Sequence, residues 1–219
     1  MVEEPQAAFY DFTSHHRKNL AKVLDNTRLI LVADVGGGTS DFTLIQAGIG
    51  ADGAILRRIA VGDHLMLGGD NMDTALARKA EERFGSRRLS ATQWTQLVQA
   101  SRTAKESLLA ATGQERYGVA MVSEGSRLLG GTLSTEFKRD EVESMVLDGF
   151  FPACSPEEPV RRSARVALQE LGLPYAQDPA ITRHLAAFLR EHAAAGFAAL
   201  GDGAAEGVLP RPDAILWIS

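Results

Sequence analysis

The chain has 219 residues, room for one large or two small domains, and its 45% hydrophobic and 23% charged residues exclude disordered and fibrous classes. A formal net charge of -5 provides no field favouring nucleic acid or an anionic membrane, so neither is an expected partner. The longest apolar run, Leu29 to Val35, is too short to span a bilayer, and the single cysteine, Cys154, rules out an internal disulfide. With no basic-then-apolar signal layout in Met1-Val-Glu-Glu-Pro5, the expected compartment is the cytoplasm.

Residues 5 to 24 carry a broken helical pattern (Ala7, Ala8, Phe9, Phe12, Leu20, Val23, Leu24) that runs into an Asp25-Asn26 turn. Three strands follow, over Arg28 to Val35, Asp41 to Ala47 and Ala54 to Val61. Short glycine-rich connections predict an antiparallel meander. Gly68-Gly69 then opens a helix with Asp70 and Asp73 in its first turn, where negative charge suits the helix dipole. Met72, Leu76 and Ala80 form its buried face, and Gly85 stops it. Ser90-Ala-Thr-Gln93 reads as a capping box for a helix reaching about Ala111, with Trp94, Leu97, Val98, Ala104 and Leu108 inward. Tyr117 to Ser123 and Arg127 to Phe137 read as a hairpin turning at Glu124-Gly125-Ser126, followed by a helix from about Asp140 to Leu147.

From Pro152 to Pro212 the text becomes Ala- and Arg-rich, with helices predicted over Glu157 to Leu171 and Pro179 to about Leu200. Gly201 to Gly207 reads as a linker. Ala214 to Ile218 reads as a buried strand, and a chain closing on a strand reads as a piece of a longer protein.

The segment Asp34-Val-Gly-Gly-Gly-Thr-Ser-Asp41 carries the chemistry. An apolar strand ends in a carboxylate, three glycines turn the chain, and a hydroxyl precedes a second carboxylate on the return strand. Glycine amides can approach phosphate oxygens closely. Two neighbouring carboxylates repel unless a cation lies between them, and hydrated magnesium is the natural one beside phosphates. Thr39 can donate to a terminal phosphate, and Asp34 can orient an attacking water. A glycine-rich hairpin with two surface aspartates is the bland alternative. A P-loop is excluded because no Gly-Lys-Ser/Thr follows and the turn leads into a strand.

This segment resembles the second phosphate motif of the actin, sugar-kinase and heat-shock-chaperone ATPase superfamily, and in particular that of the seventy-kilodalton, DnaK-type chaperones. Three further segments agree in order: Glu4-Pro-Gln-Ala-Ala8 resembles the connecting motif, Gly62 to Asp73 the glycine-aspartate segment, and Ser101 to Leu108 the helix covering adenine. The likeness is good over residues 4 to 150. It implies an α/β fold: an incomplete ribonuclease-H-like (actin-like ATPase) core, a smaller α+β subdomain and a helical extension. The divisions expected are 1–67 (core with the hairpin), 68–150 (upper subdomain), 151–212 (extension or insertion) and 213–219 (a truncated last core strand).

The resemblance also implies roles. ATP or ADP with Mg2+ is the ligand. Asp34, Asp41 and Glu4 are metal-side acids, and Asp34, Glu4 and Thr39 support catalysis. Gly36, Gly37, Gly38 and Thr39 lie at the phosphates, Gly69 and Asp70 near the ribose, and Lys105 and Arg102 near the adenine. Partners implied are the first lobe of the same protein, client polypeptides and co-chaperones, with the fragment inactive by itself. A small-molecule kinase or a filament-forming ATPase of the same superfamily is the alternative.

The family's pattern is broken where Arg102, Glu106 and Leu109 stand, and Arg102 and Glu106 at i,i+4 spacing can simply pair. His64, beside Asp63, reads either as a residue near the site or, the safer reading, as a loop histidine with a local hydrogen bond; Cys154 reads as a non-catalytic thiol, and Trp94 and Trp217 as core residues.

Overall fold

A computed structural model of the chain describes residues 22, 24, 26–50, 53–85, 89–122, 132–161, 178–201 and 207–218. The chain divides into two compact units, Met1–Gly68 with Ala153–Ser219, and Gly69–Pro152. The connecting segment around Glu4, the turn at residues 124–126 and most of the expected helix over 157–171 lie outside the described residues. Residues 157–161 of that helix are described, and they are not helical.

The first unit is built on a four-stranded sheet of order β3-β2-β1-β6, with β1 at Leu29–Val35, β2 at Ser40–Gly50, β3 at Gly53–Val61 and β6 at Ala214–Ile218. The first three form the expected antiparallel meander, with a register irregularity between Leu44 and Ile45, whereas β6 runs parallel to β1. Strand β1 is apolar from Leu29 to Ala33 because both its faces are covered there. Ile30 and Val32 pack with Leu24, Ile45, Ala47 and Leu216 on one face. On the other face, the ring of Phe42 of β2 lies 5.9 Å from that of Phe188, centroid to centroid, in a tilted arrangement. Each fully buried side chain of this kind contributes about 1.5–3 kcal/mol.

Helices α4 (Ile181–Glu191) and α5 (Ala193–Leu200) occupy the stretch expected as one helix. The chain breaks at His192, whose φ of -104° and ψ of 19° leave the helical basin. The redirection brings Gly196 of α5 against Pro210 so closely that a Cβ at Gly196 would stand 2.6 Å from the proline ring. The last strand is not the buried strand expected. As the sheet edge, it shows its alternate residues, and Trp217 is 53% exposed where core packing was anticipated.

In the second unit, α1 (Gly69–Arg83) and α2 (Ala91–Leu109) pack together and against the hairpin β4 (Arg116–Val122) and β5 (Thr132–Lys138), followed by α3 (Arg139–Phe150). Leu76, Ala77, Ala80, Leu97, Ala104, Leu108, Val119, Phe137 and Val142 are among its buried residues. The capping box is present: Gln93 N–H donates to Ser90 Oγ and Ser90 N–H to Gln93 Oε1, an arrangement worth about 1 kcal/mol. Gly85, with φ of +85°, follows α1 in the left-handed region that favours glycine. Trp94 is half-buried and carries the Arg78 guanidinium 4.1 Å from its ring centroid. Among the described residues no helix is long and apolar enough to cross a membrane.

Candidate phosphate-binding site

In the β1–β2 hairpin, Asp34 pairs directly with Asp41 and Val35 with Ser40, so the loop is Gly36 to Thr39. Gly36 N–H donates to the Thr39 carbonyl at 2.9 Å and closes the turn. That amide is therefore spent inside the loop, while Gly37 and Gly38 are exposed. Residues on a strand alternate between faces, so Asp34 continues the row of Ile30 and Val32, and Asp41 that of Thr43 and Ile45. Two carboxylates thus end adjacent rows, opposite each other, where like charges destabilise the pair unless a cation compensates.

The connection after β3 straps the hairpin from the side. Ser40, fully buried, donates from N–H to the Leu65 carbonyl (2.9 Å) and from Oγ to the Leu67 carbonyl (2.7 Å), and Leu65 N–H returns a bond to Ser40 (3.1 Å). Gly68 then passes so close that a Cβ there would lie 2.5 Å from the carbonyl oxygens of both Gly36 and Gly37. His64, on the same connection, sets Nδ1 2.5 Å from Asp41 Oδ1. The histidine thus contacts a carboxylate on β2 and not a neighbour in its own loop.

The remaining expected site residues belong to the second unit. Gly69 is the first residue of α1, with Asp70 exposed beside it. Asp73 lies beyond the first turn and is buried, contrary to the dipole role expected of it. Lys105 Nζ donates to the Gly69 carbonyl at 3.1 Å and stands 2.6 Å from Asp73 Oδ1, an ion pair by charge and distance, not an aligned hydrogen bond. Burial raises the Asp73 pKa, against the lowering effect of Lys105. The lysine expected near adenine is thus a strut between α1 and α2, with 14% of its side chain exposed. Arg102 Nε bonds Glu106 Oε1 at 2.9 Å on an exposed helix face, the pairing their spacing allows.

Comparison with known proteins supplies the family. The Hsp70 protein family matches residues 2–172, well over half of the chain. The chain belongs to the Hsp70 family. Among curated relatives, a chaperone protein HscA homolog of Acinetobacter baylyi is 26% identical over 171 residues, covering 78% of this chain and 24% of that protein. The HscA homolog of Paracidovorax citrulli is 34% identical over 113 residues, covering 51% of this chain and 16% of that protein. The chain therefore spans about a quarter or less of the length of these relatives.

The donor set of this Hsp70 chain fits a hydrated magnesium ion. Asp34 and Asp41 are hard oxygen donors at one hairpin base, with the Thr39 hydroxyl on the loop. Among the described residues no group of three or more His, Cys, Asp or Glu side chains could hold a metal by itself. Magnesium suits such a site, because it commonly takes one or two carboxylates and completes its shell with water and phosphate oxygens. Glu4, the third acid expected, lies outside the described residues. Sequence reasoning singled out the hairpin, weighed His64 as a loop histidine and read Gly68 as opening a helix, but gave Ser40, His64 and Gly68 no supporting role at the turn.

Proposed function

We propose that this chain is a nucleotide-binding lobe of an Hsp70-type ATPase domain, in which residues 34–41 hold the terminal phosphates of ATP or ADP and their magnesium ion. The four-stranded sheet is on this reading part of a ribonuclease-H-like core, with residues 69–152 as the upper subdomain. One observation supports it above the rest: Asp34 and Asp41 stand opposite each other at the base of a tight glycine turn.

Gly37, Gly38 and Thr39 contact phosphate oxygens, through backbone amides and the hydroxyl, while Gly36 closes the turn. Magnesium, when bound, neutralises charge developing on the transferred phosphoryl group. Asp34 and Asp41 hold the ion's water shell, and Asp34 orients the attacking water. Glu4 joins them as a third acid. Gly69 and Asp70 contribute on the ribose side and Arg102 and Lys105 on the adenine side; for Lys105 this requires releasing the Asp73 contact. The first lobe, client polypeptides and co-chaperones are partners of the whole protein on this reading, and the Hsp70 match weighs against the small-molecule kinase alternative.

Titration of the chain with ADP, with and without Mg2+, followed by NMR at the Gly37 and Gly38 amides, tests the assignment. Weak, Mg2+-dependent shifts that vanish in Asp34→Asn and Asp41→Asn are expected. Shifts that persist in both variants, or binding indifferent to Mg2+, would refute it.

A further inference from the structure

His64 is the one histidine placed against the hairpin among the described residues, and its contact is specific. Nδ1 lies 2.5 Å from Asp41 Oδ1, while the imidazole is 78% exposed and the Asp41 side chain only 14%. An ionised carboxylate offers lone pairs and no proton, so a ring nitrogen this close must carry the hydrogen. The Nδ1–H group therefore faces the Asp41 carboxylate at ion-pair distance. The backbone carrying the ring is itself held, because the next residue, Leu65, exchanges two hydrogen bonds with Ser40, the residue preceding Asp41.

We propose that His64 is a positioning residue for Asp41, fixing the carboxylate in the orientation that the metal's water shell meets. The terminal torsion of an aspartate is broad and nearly two-fold. A donor anchored from a neighbouring, strapped segment selects one orientation before ligand arrives, and ordering completed in advance is not charged against binding. Partners of this outer kind on metal-site carboxylates are worth about 10–100-fold in affinity when well enclosed. The exposed ring of His64 places its effect at the low end, about 3–10-fold. The inference rests on the phosphate-side reading of Asp41 given above.

Variants separate this from simple surface packing. Asparagine carries an amide N–H near the place of Nδ1–H, whereas glutamine carries its donor one bond further out. His64→Ala and His64→Gln are expected to weaken MgADP binding about 3–10-fold, read from Gly37 and Gly38 amide shifts, and His64→Asn to restore it within about twofold. Melting temperatures of the three variants should stay together, which excludes unfolding as the cause. In the nucleotide-free chain, long-range proton–nitrogen spectra should show His64 as the Nδ1–H form, and Asp41→Ala should abolish that preference. Equal affinities for wild type and His64→Ala, or failure of His64→Asn to rescue, would overturn the positioning role while leaving the hairpin assignment intact. Absence of MgADP shifts in the wild-type chain would overturn both.

Discussion

A side chain of any size at Gly68 would collide with the Gly36 and Gly37 carbonyl oxygens, since a Cβ there lies 2.5 Å from each. The glycine turn is thus shaped by a residue 31 positions downstream of Gly37, and the glycine that most needs to lack a Cβ stands outside the triple-glycine motif. Because Ser40 fastens Leu65 and Leu67 to the same hairpin, the turn has little freedom to move away.

Gly68→Ala should therefore shift the turn, costing about 1–3 kcal/mol of stability as overpacking does. MgADP affinity should fall with it. Gly48→Ala is the control, because a Cβ there meets nothing within 4 Å. Thermal melts and MgADP titrations of both variants check this, and an unperturbed Gly68→Ala chain would contradict the close approach.

A second prediction concerns acid. Asp178, 1% exposed, accepts from Arg183 Nε and Nη2 at 2.7 and 2.8 Å and from the backbone N–H groups of Arg161 and Ala180. Burial raises its pKa, but the Arg183 bonds and the two amides outweigh that and hold it at about 2, below the ordinary 3.8. A depressed carboxyl stabilises the fold fully above its unfolded value, and the contribution fades as pH falls from 3.8 towards 2. Urea unfolding should show a loss on the order of 2 kcal/mol across that window. Asp178→Asn should flatten this dependence and lower stability at neutral pH by about 3 kcal/mol, since buried Arg183 then keeps only its longer contact with Glu158, at 3.4 Å.

Lys105→Met should destabilise the chain by about 3 kcal/mol, because Asp73 then remains buried without its ion-pair partner. Adding Asp73→Asn should return part of that loss, so a double-mutant cycle should report coupling well above 0.5 kcal/mol in magnitude. Additive effects would contradict the ion pair, whereas weaker nucleotide binding in Lys105→Met is expected separately from the adenine-side role proposed above.

Ser90→Ala tests the second unit more locally. Loss of both capping-box bonds should lower stability by about 1 kcal/mol, measured by denaturant unfolding.

Much of the local architecture was legible in the sequence. The three-strand meander follows from two apolar runs and a third of mixed character, joined by glycine-rich turns, and the Ser90–Gln93 box and the stop at Gly85 involve residues within one helical turn. The Asp34 to Asp41 hairpin belongs with these, because eight consecutive residues suffice to oppose its carboxylates. Helix ends were less legible: α3 begins at Arg139 and reaches Phe150 because Phe150 buries itself beyond the expected end. The break at His192 was invisible, since Ala-rich sequence on both sides favours helix and only packing against Pro210 and the sheet redirects it.

What the sequence by itself determined was the family, the antiparallel hairpin and the acids facing each other across it, all carried by short-range pattern. Tertiary structure decided what those residues touch. It set β6 parallel to β1 with Trp217 exposed, placed Lys105 against Asp73, and brought Ser40, His64 and Gly68 around the glycine turn. The physical reason is common to all of them. Each pairs groups separated by tens of residues, and no local propensity specifies such a pairing. It follows from burying the apolar faces of whole elements together, after which polar side chains take the partners left within reach.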